Sequence, residues 1–167
     1  MEIKRILYAT DLSPNSVYAL RFALSTAKNH HAEIIILHVL EQVYPHIVPL
    51  LDVYITGKEQ KSLIEERIAQ TRAIIGGRLK RVIDENARKD PAYEALDLSI
   101  ELCEGFPAER ILRTASEYNC DLILMGTHGK GAIAHTFLGS TAKRVLRRTH
   151  KPVFIIPLPA DLPDDIA

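Results

Sequence analysis

Residues 121–140 read Asp-Leu-Ile-Leu-Met-Gly-Thr-His-Gly-Lys-Gly-Ala-Ile-Ala-His-Thr-Phe-Leu-Gly-Ser. The chemistry this stretch offers is anion binding. The apolar run Leu122 to Met125 has the composition of a buried strand. Gly126, Gly129 and Gly131 follow it, and glycine lets the backbone take positive φ and approach a ligand closely. Successive N–H groups in such a loop can converge on an anion. Gly139-Ser140 then opens a new periodic segment, with Ser140 suited to cap a helix whose first N–H groups are unsatisfied. Strand, glycine loop and helix start together make a phosphate site.

Other chemistries are poorly served. Gly129-x-Gly131-x-x-Ala134 imitates a dinucleotide fingerprint, but it follows the fourth strand, with no acid about 20 residues on. The chain has no Gly-x4-Gly-Lys-[Ser/Thr] and no Gly-x-Ser-x-Gly. The seven histidines are scattered without metal-ligand spacing. Cys103 and Cys120 form no CxxC, which fits small core residues in a reducing cytosol. Lys and Arg number 21, as do Asp and Glu, so a broad electrostatic grip on nucleic acid is not expected. No apolar run approaches the ~20 residues of a membrane helix, and Met-Glu-Ile-Lys-Arg leads straight into a strand without room for a signal peptide. A cytoplasmic protein is expected.

The elements that must position the glycine loop read in order. Ile3 to Ala9 is a strand buried on both faces. Thr10-Asp11-Leu12 leads to Ser13 as N-cap and Pro14 as first helical residue. That helix carries Val17, Leu20, Leu24 and Ala27 on one face, ends near Asn29, and leaves His30-His31 in the connection. Glu33 to Val39 is a second buried strand. Residues 40–57, with Pro45, Pro49 and Gly57, read as a long loop. A helix over Glu59 to Ala87 carries Ile64, Ile68, Ile75, Leu79, Val82 and Ile83, with a kink or local irregularity expected at Gly76-Gly77. Leu98 to Cys103 alternates like a strand near the sheet edge. Ala108, Ile111, Leu112 and Ala115 line the next helix, closed by Asn119. After the glycine loop, Thr141 to Thr149 is a helix with Val145 and Leu146 inward and Lys143, Arg144, Arg147 and Arg148 outward. Pro152 to Ile156 is the last strand. Strict β-α alternation implies a doubly wound parallel sheet with helices on both faces. The length suits one domain over 1–158, with a loose tail at 159–167 carrying prolines and aspartates.

The spacing Gly126-x2-Gly129-x9-Gly139-Ser140 resembles the G-x2-G-x9-G-[S/T] motif of the ATP-binding branch of the universal stress protein family, and the resemblance runs from Lys4 to Pro157. It implies five strands in the order 3-2-1-4-5. The reversal of strand order then falls between strands 1 and 4, where ligands of such sheets sit. It also implies an adenine nucleotide, ATP or AMP/ADP, with Mg²⁺ or Mn²⁺ reaching the site through the phosphates. Under the resemblance, Ala9 and Thr10 flank the base and Asp11 accepts from adenine or ribose; the competing reading of Asp11 is an Asx turn ahead of the helix. Val39 matches a position where main chain meets adenine, or is plain core. Met125 and Gly126 end the strand at the site. Thr127 and His128 match Gly-[Ser/Thr]-His-Gly and face ribose and phosphates, without a dedicated catalytic base. Lys130 either neutralises phosphate or is simply solvated. Gly129, Gly139, Ser140 and Thr141 complete the phosphate end. Where the family often has a further hydroxyl, this chain has Ala142. The function implied is a regulatory, stress-response module with little turnover. Slow ATP hydrolysis or autophosphorylation on Ser140 or Thr141 is one alternative, and a partner-binding module with no nucleotide is another. The resemblance further implies a homodimer through the C-terminal strand, and a protein partner that the residues do not identify.

Overall fold

The computed structural model describes residues 2–40, 57–127 and 138–157. Strand β1 (Arg5–Thr10) is followed by helix α1 (Pro14–His30) and strand β2 (Glu33–Leu40). Helix α2 (Gly57–Ala87) and a 3-10 turn (Pro91–Ala95) lead to strand β3 (Leu98–Glu104). Helix α3 (Pro107–Glu117), strand β4 (Leu122–Gly126), helix α4 (Ser140–Arg148) and strand β5 (Val153–Ile156) complete the order. The sheet is parallel throughout, in the order β3-β2-β1-β4-β5.

Side chains alternate across each strand and build two cores. Ile6 and Tyr8 of β1, Ile34 and Ile36 of β2, and Leu122 and Leu124 of β4 pack with Val17, Leu20 and Leu24 of α1 and with Ile75, Leu79 and Val82 of α2. Leu7, Ile35, Leu37, Ile123 and Met125 point the other way, onto Ala108, Ile111 and Ala115 of α3 and Ala142 and Val145 of α4. Helices therefore cover both faces. Strands buried on two sides explain their unbroken apolar runs. In β3, Leu98, Ile100 and Leu102 share one face, as their alternation requires.

Several local expectations change. His30 ends α1 as a helical residue, and His31 is its C-cap in the left-handed region, with φ 53 and ψ 41. Helix α2 runs unbroken through Gly76-Gly77, so no interruption of the helix occurs there. A Cβ at either glycine would meet nothing within 4 Å, so these positions serve no close packing. Ile64 stands 41% exposed although it continues the α2 stripe, because the helix is ~46 Å long and its first turns outrun the sheet. Leu146 is 40% exposed, not inward: a nine-residue helix on an outer strand pair buries only its Ala142/Val145 stripe. Among the described residues no helix is long and apolar enough to cross a membrane. The segment 41–56 and the tail from 158 lie outside the described residues.

One carboxylate pins the strand pair at the centre of the sheet. Asp121 Oδ2 accepts the Lys4 N–H at 2.8 Å and the Arg5 N–H at 2.9 Å, while the Asp121 N–H donates to the Arg5 carbonyl at 2.8 Å. The start of β4 is thereby locked to the start of β1. The Lys4 N–H first, then that of Arg5, holds the Asp121 carboxyl below the usual carboxylate range. A lowered folded-state value stabilises the fold above the ordinary carboxylate value of ~3.9, and this contribution fades as pH falls through the lowered one. Asp121→Asn is expected to cost about 1 kcal/mol at pH 7, modest because the bonds are solvent-exposed. In denaturant titrations the gap between wild type and variant should narrow as pH falls below ~4; a gap that does not narrow on acidification would contradict this role.

Candidate functional site

Strand order reverses at β1, which pairs with β2 on one side and β4 on the other. Ala9 lies beside Met125, so the chain leaving β1 at Thr10-Asp11 and the chain leaving β4 at Gly126-Thr127 emerge together at the carboxyl edge. The two strands bring both predicted halves of the site to one place. Beyond the Thr10–His38 pair, β2 continues beside β3 alone, leaving Val39 at the same edge. The Val39 side chain is buried in the α3/α4 core, as plain packing requires.

The helix opening joins this edge through main-chain bonds. The Thr127 N–H donates to the Ile156 carbonyl at 3.1 Å, and the Gly139 N–H donates to the Thr127 carbonyl at 2.8 Å. The first ties the end of β4 to β5, and the second joins residues 127 and 139 and sets α4 against the end of β4. The second also occupies the Gly139 amide. Gly139 is the N-cap, with φ −65 and ψ 161, and Ser140 is the first helical residue, not the cap. That φ suits any residue, so a positive φ is not what places glycine at 139. The Lys143 N–H donates to the Gly139 carbonyl at 3.0 Å as the first turn closes. The N–H groups of Ser140, Thr141 and Ala142 thus precede the helical ladder and have no partner within the helix. The Ser140 side chain is exposed and Thr141 half-buried. Ala142 faces the core. Thr127 is buried at 5% exposure. His128, Gly129 and Lys130 lie outside the described residues, as do Gly131 and His135.

The turn after β1 is tied in detail. Leu12 adopts the left-handed region with φ 62. Its N–H donates to Thr10 Oγ1 at 3.1 Å. Asp11 Oδ1 accepts from the Ser13 N–H at 3.0 Å and from the Ser13 hydroxyl at 2.7 Å. Asp11 therefore makes the Asx turn, and Ser13 caps α1 by position without a side-chain cap bond. Two side chains outside the turn reach its carbonyls. His38 Nδ1 lies 2.8 Å from the Thr10 carbonyl; a carbonyl only accepts, so Nδ1 carries the proton. Arg78 Nη1 donates to the Leu12 carbonyl at 2.7 Å. Behind the turn, the Tyr8 hydroxyl donates to the Ser16 carbonyl, and burial pushes that phenol above its ordinary value. A cavity of about 20 Å³ between Tyr8, Thr10, Leu12 and Arg78 has room for one water and no more.

Sequence reasoning did not find His38, Arg78 or the Ser13 hydroxyl. His38 sits in an apolar strand run with no local mark, and Arg78 lies 66 residues from its partner. A wider depression of about 1000 Å³ lies at the opposite, amino end of the strands; its Lys4, Arg5 and Lys28 are each paired with a carboxylate. It has no part in the switch-point geometry.

A five-stranded parallel sheet reversing at β1, with helices on both faces, defines the doubly wound α/β class. The chain belongs to the universal stress protein family, whose profile matches residues 2–157. It is 30% identical over 156 residues to the universal stress protein MJ0531 of Methanocaldococcus jannaschii, covering 93% of this chain and 83% of that one. Its fold is similar to the universal stress protein UspA from Lactobacillus plantarum, with a TM-score of 0.71 at 23% identity, over 93% of this chain and 99% of that one. It is also similar to the Archaeoglobus fulgidus universal stress protein solved in complex with dAMP, with a TM-score of 0.57 at 20% identity, over 93% and 98% of the two chains.

Ser13 tests the local construction. Ser13→Ala removes the hydroxyl that donates to Asp11 at a buried position, and is expected to cost about 1 kcal/mol in chemical denaturation. Unchanged stability would mean that the hydroxyl bond adds nothing to the turn.

Proposed function

We propose that this protein binds an adenine nucleotide, ATP or AMP/ADP, at the carboxyl edge between β1 and β4, and acts as a regulatory stress-response module in the cytoplasm. The observation that supports this best is the meeting of three segments, Thr10-Asp11, Gly126-Thr127 and Gly139-Ser140, with the last two joined by the Gly139 N–H to Thr127 carbonyl bond. The nucleoside would lie against Ala9, Thr10, Asp11 and the Val39 main chain. The phosphates would lie over the glycine loop at Gly126, Thr127, His128, Gly129 and Lys130, toward the amides of Ser140 and Thr141. Mg²⁺ or Mn²⁺ would be carried by the phosphates, as suits ions that keep much of their water. The dAMP complex of the Archaeoglobus fulgidus relative supports adenylate as the ligand class for this fold.

The decisive measurement is chemical. Protein purified without added nucleotide, then denatured, should release an adenine nucleotide, and ATP should raise the melting temperature of the emptied protein. Gly139→Val should weaken both effects at least tenfold. The backbone at 139 suits valine, so this variant tests space over the loop and not strain. No released nucleotide and no thermal shift would sink the reading. ADP formed from Mg-ATP above the level of Gly139→Val would favour the slow-enzyme alternative.

We further infer a homodimer through β5. This strand forms one edge of the sheet, and Phe154 on it is 45% exposed. An apolar strand edge invites pairing with a second copy. Light scattering at micromolar concentration should give a dimer for the wild type and a monomer for Phe154→Asp; a monomeric wild type would refute the assembly.

A further inference from the structure

We propose that Arg78 is a positioning residue of the candidate nucleotide site: from α2 it holds Leu12 in the left-handed conformation and so sets where the Asp11 carboxylate stands. The inference rests on the nucleotide reading above and deepens it. Leu12 has φ 62, a region that bulky residues rarely occupy without outside support. The turn's own bonds, Thr10 Oγ1 to Leu12 and Asp11 to Ser13, lie within four residues and turn together if the turn shifts. The restraint must come from elements with a fixed position. His38 supplies it at the Thr10 carbonyl, from inside the sheet. Arg78 supplies it at the Leu12 carbonyl, at 2.7 Å.

The base of this strut is itself anchored. Ile75, Leu79 and Val82 around Arg78 are buried against α1 and the sheet, so the guanidinium extends from a packed stretch of helix. Farther back, residues 62–67 of the same helix are exposed. Helix α2 therefore has one portion in the core, bearing on the Asp11 turn, and another at the surface. Whatever grips or displaces α2 alters nucleotide affinity through Arg78, and by linkage a bound nucleotide steadies α2 to the same degree.

The test is a double-mutant cycle read by calorimetry with AMP and with ATP. Arg78→Ala should raise Kd roughly tenfold for both ligands alike, since the strut serves the nucleoside end. Arg78→Lys, which keeps a donor, should stay within roughly threefold of wild type. In an Asp11→Asn background Arg78→Ala should cost less than about twofold, because the two act as one unit. Should Arg78→Ala fold poorly, Arg78→Met, which keeps the length and carries no donor, takes its place in the cycle. Amide exchange at Leu12 and Ser13 should quicken in the unliganded variant. The inference is overturned if wild type binds and Arg78→Ala binds within about twofold of it, or if the losses simply add in the Asp11→Asn background. A wild type that binds neither ligand overturns the nucleotide reading, and this inference with it.

Discussion

The parallel pairing of β1 with β4 is the constraint on which the rest depends. It places Ala9 against Met125, and so brings two connections from distant parts of the chain to one edge. Both ends of β4 are secured. At its start, the Asp121 carboxylate grips two amides leading into β1. At its end, Thr127 bonds Ile156 with its N–H and Gly139 with its carbonyl. A slip of one residue against β1 would send Leu122 and Leu124 into the wrong core and break the two Asp121 carboxylate bonds. Position at the edge is therefore fixed by the core and by polar pins, which reinforce each other.

The turn after β1 has the opposite character. It is locally unfavourable, since a left-handed leucine costs about 1 kcal/mol. It persists because the surroundings over-determine it: Thr10 Oγ1, Ser13, His38 and Arg78 each satisfy one of its groups. Contacts from β2 and α2 hold the turn that carries the Asp11 carboxylate, and on the nucleotide reading an acid ordered in advance would lose less entropy on binding.

Much of the fold was legible because burial leaves a periodic trace. Ile34 to Leu37 and Leu122 to Met125 are unbroken apolar runs since both faces of the sheet are covered. Leu98, Ile100 and Leu102 alternate since β3 is an edge strand with one well-covered face. Errors arose where periodicity ends and geometry decides. Leu146 continues an apolar pattern, yet the sheet beneath α4 is too narrow to bury it. Gly76-Gly77 costs helix propensity, yet packing by Ile75, Leu79 and Val82 holds the helix through it. Ser140 has the chemistry of a cap, but the Lys143 N–H closes the first turn on the Gly139 carbonyl, so the helix starts one residue earlier. The candidate site was legible as a set of turns, because Gly and Asp mark turns locally. Arg78 and His38 were not, because a long-range donor to a carbonyl leaves no pattern in its own neighbourhood.

The two ends of the site also differ in how much affinity they can supply. On the nucleotide reading, the nucleoside end is built in advance by side chains that hold Asp11 and by a paired strand edge. The phosphate end draws, among the described residues, on the first amides of a nine-residue helix, one of its neighbouring amides being already committed to Thr127. The dipole alone at such a helix start contributes ~0.3–1 kcal/mol for a charge, and an amide donating directly to a charged oxygen about 1.5–3 kcal/mol. With Ala142 turned into the core, no extra hydroxyl joins them. On that reading the helix start offers only a few amides, and discrimination among AMP, ADP and ATP would fall largely to the glycine loop. On the same reading, a nucleoside end built in advance would recognise the adenosine before the phosphates are counted.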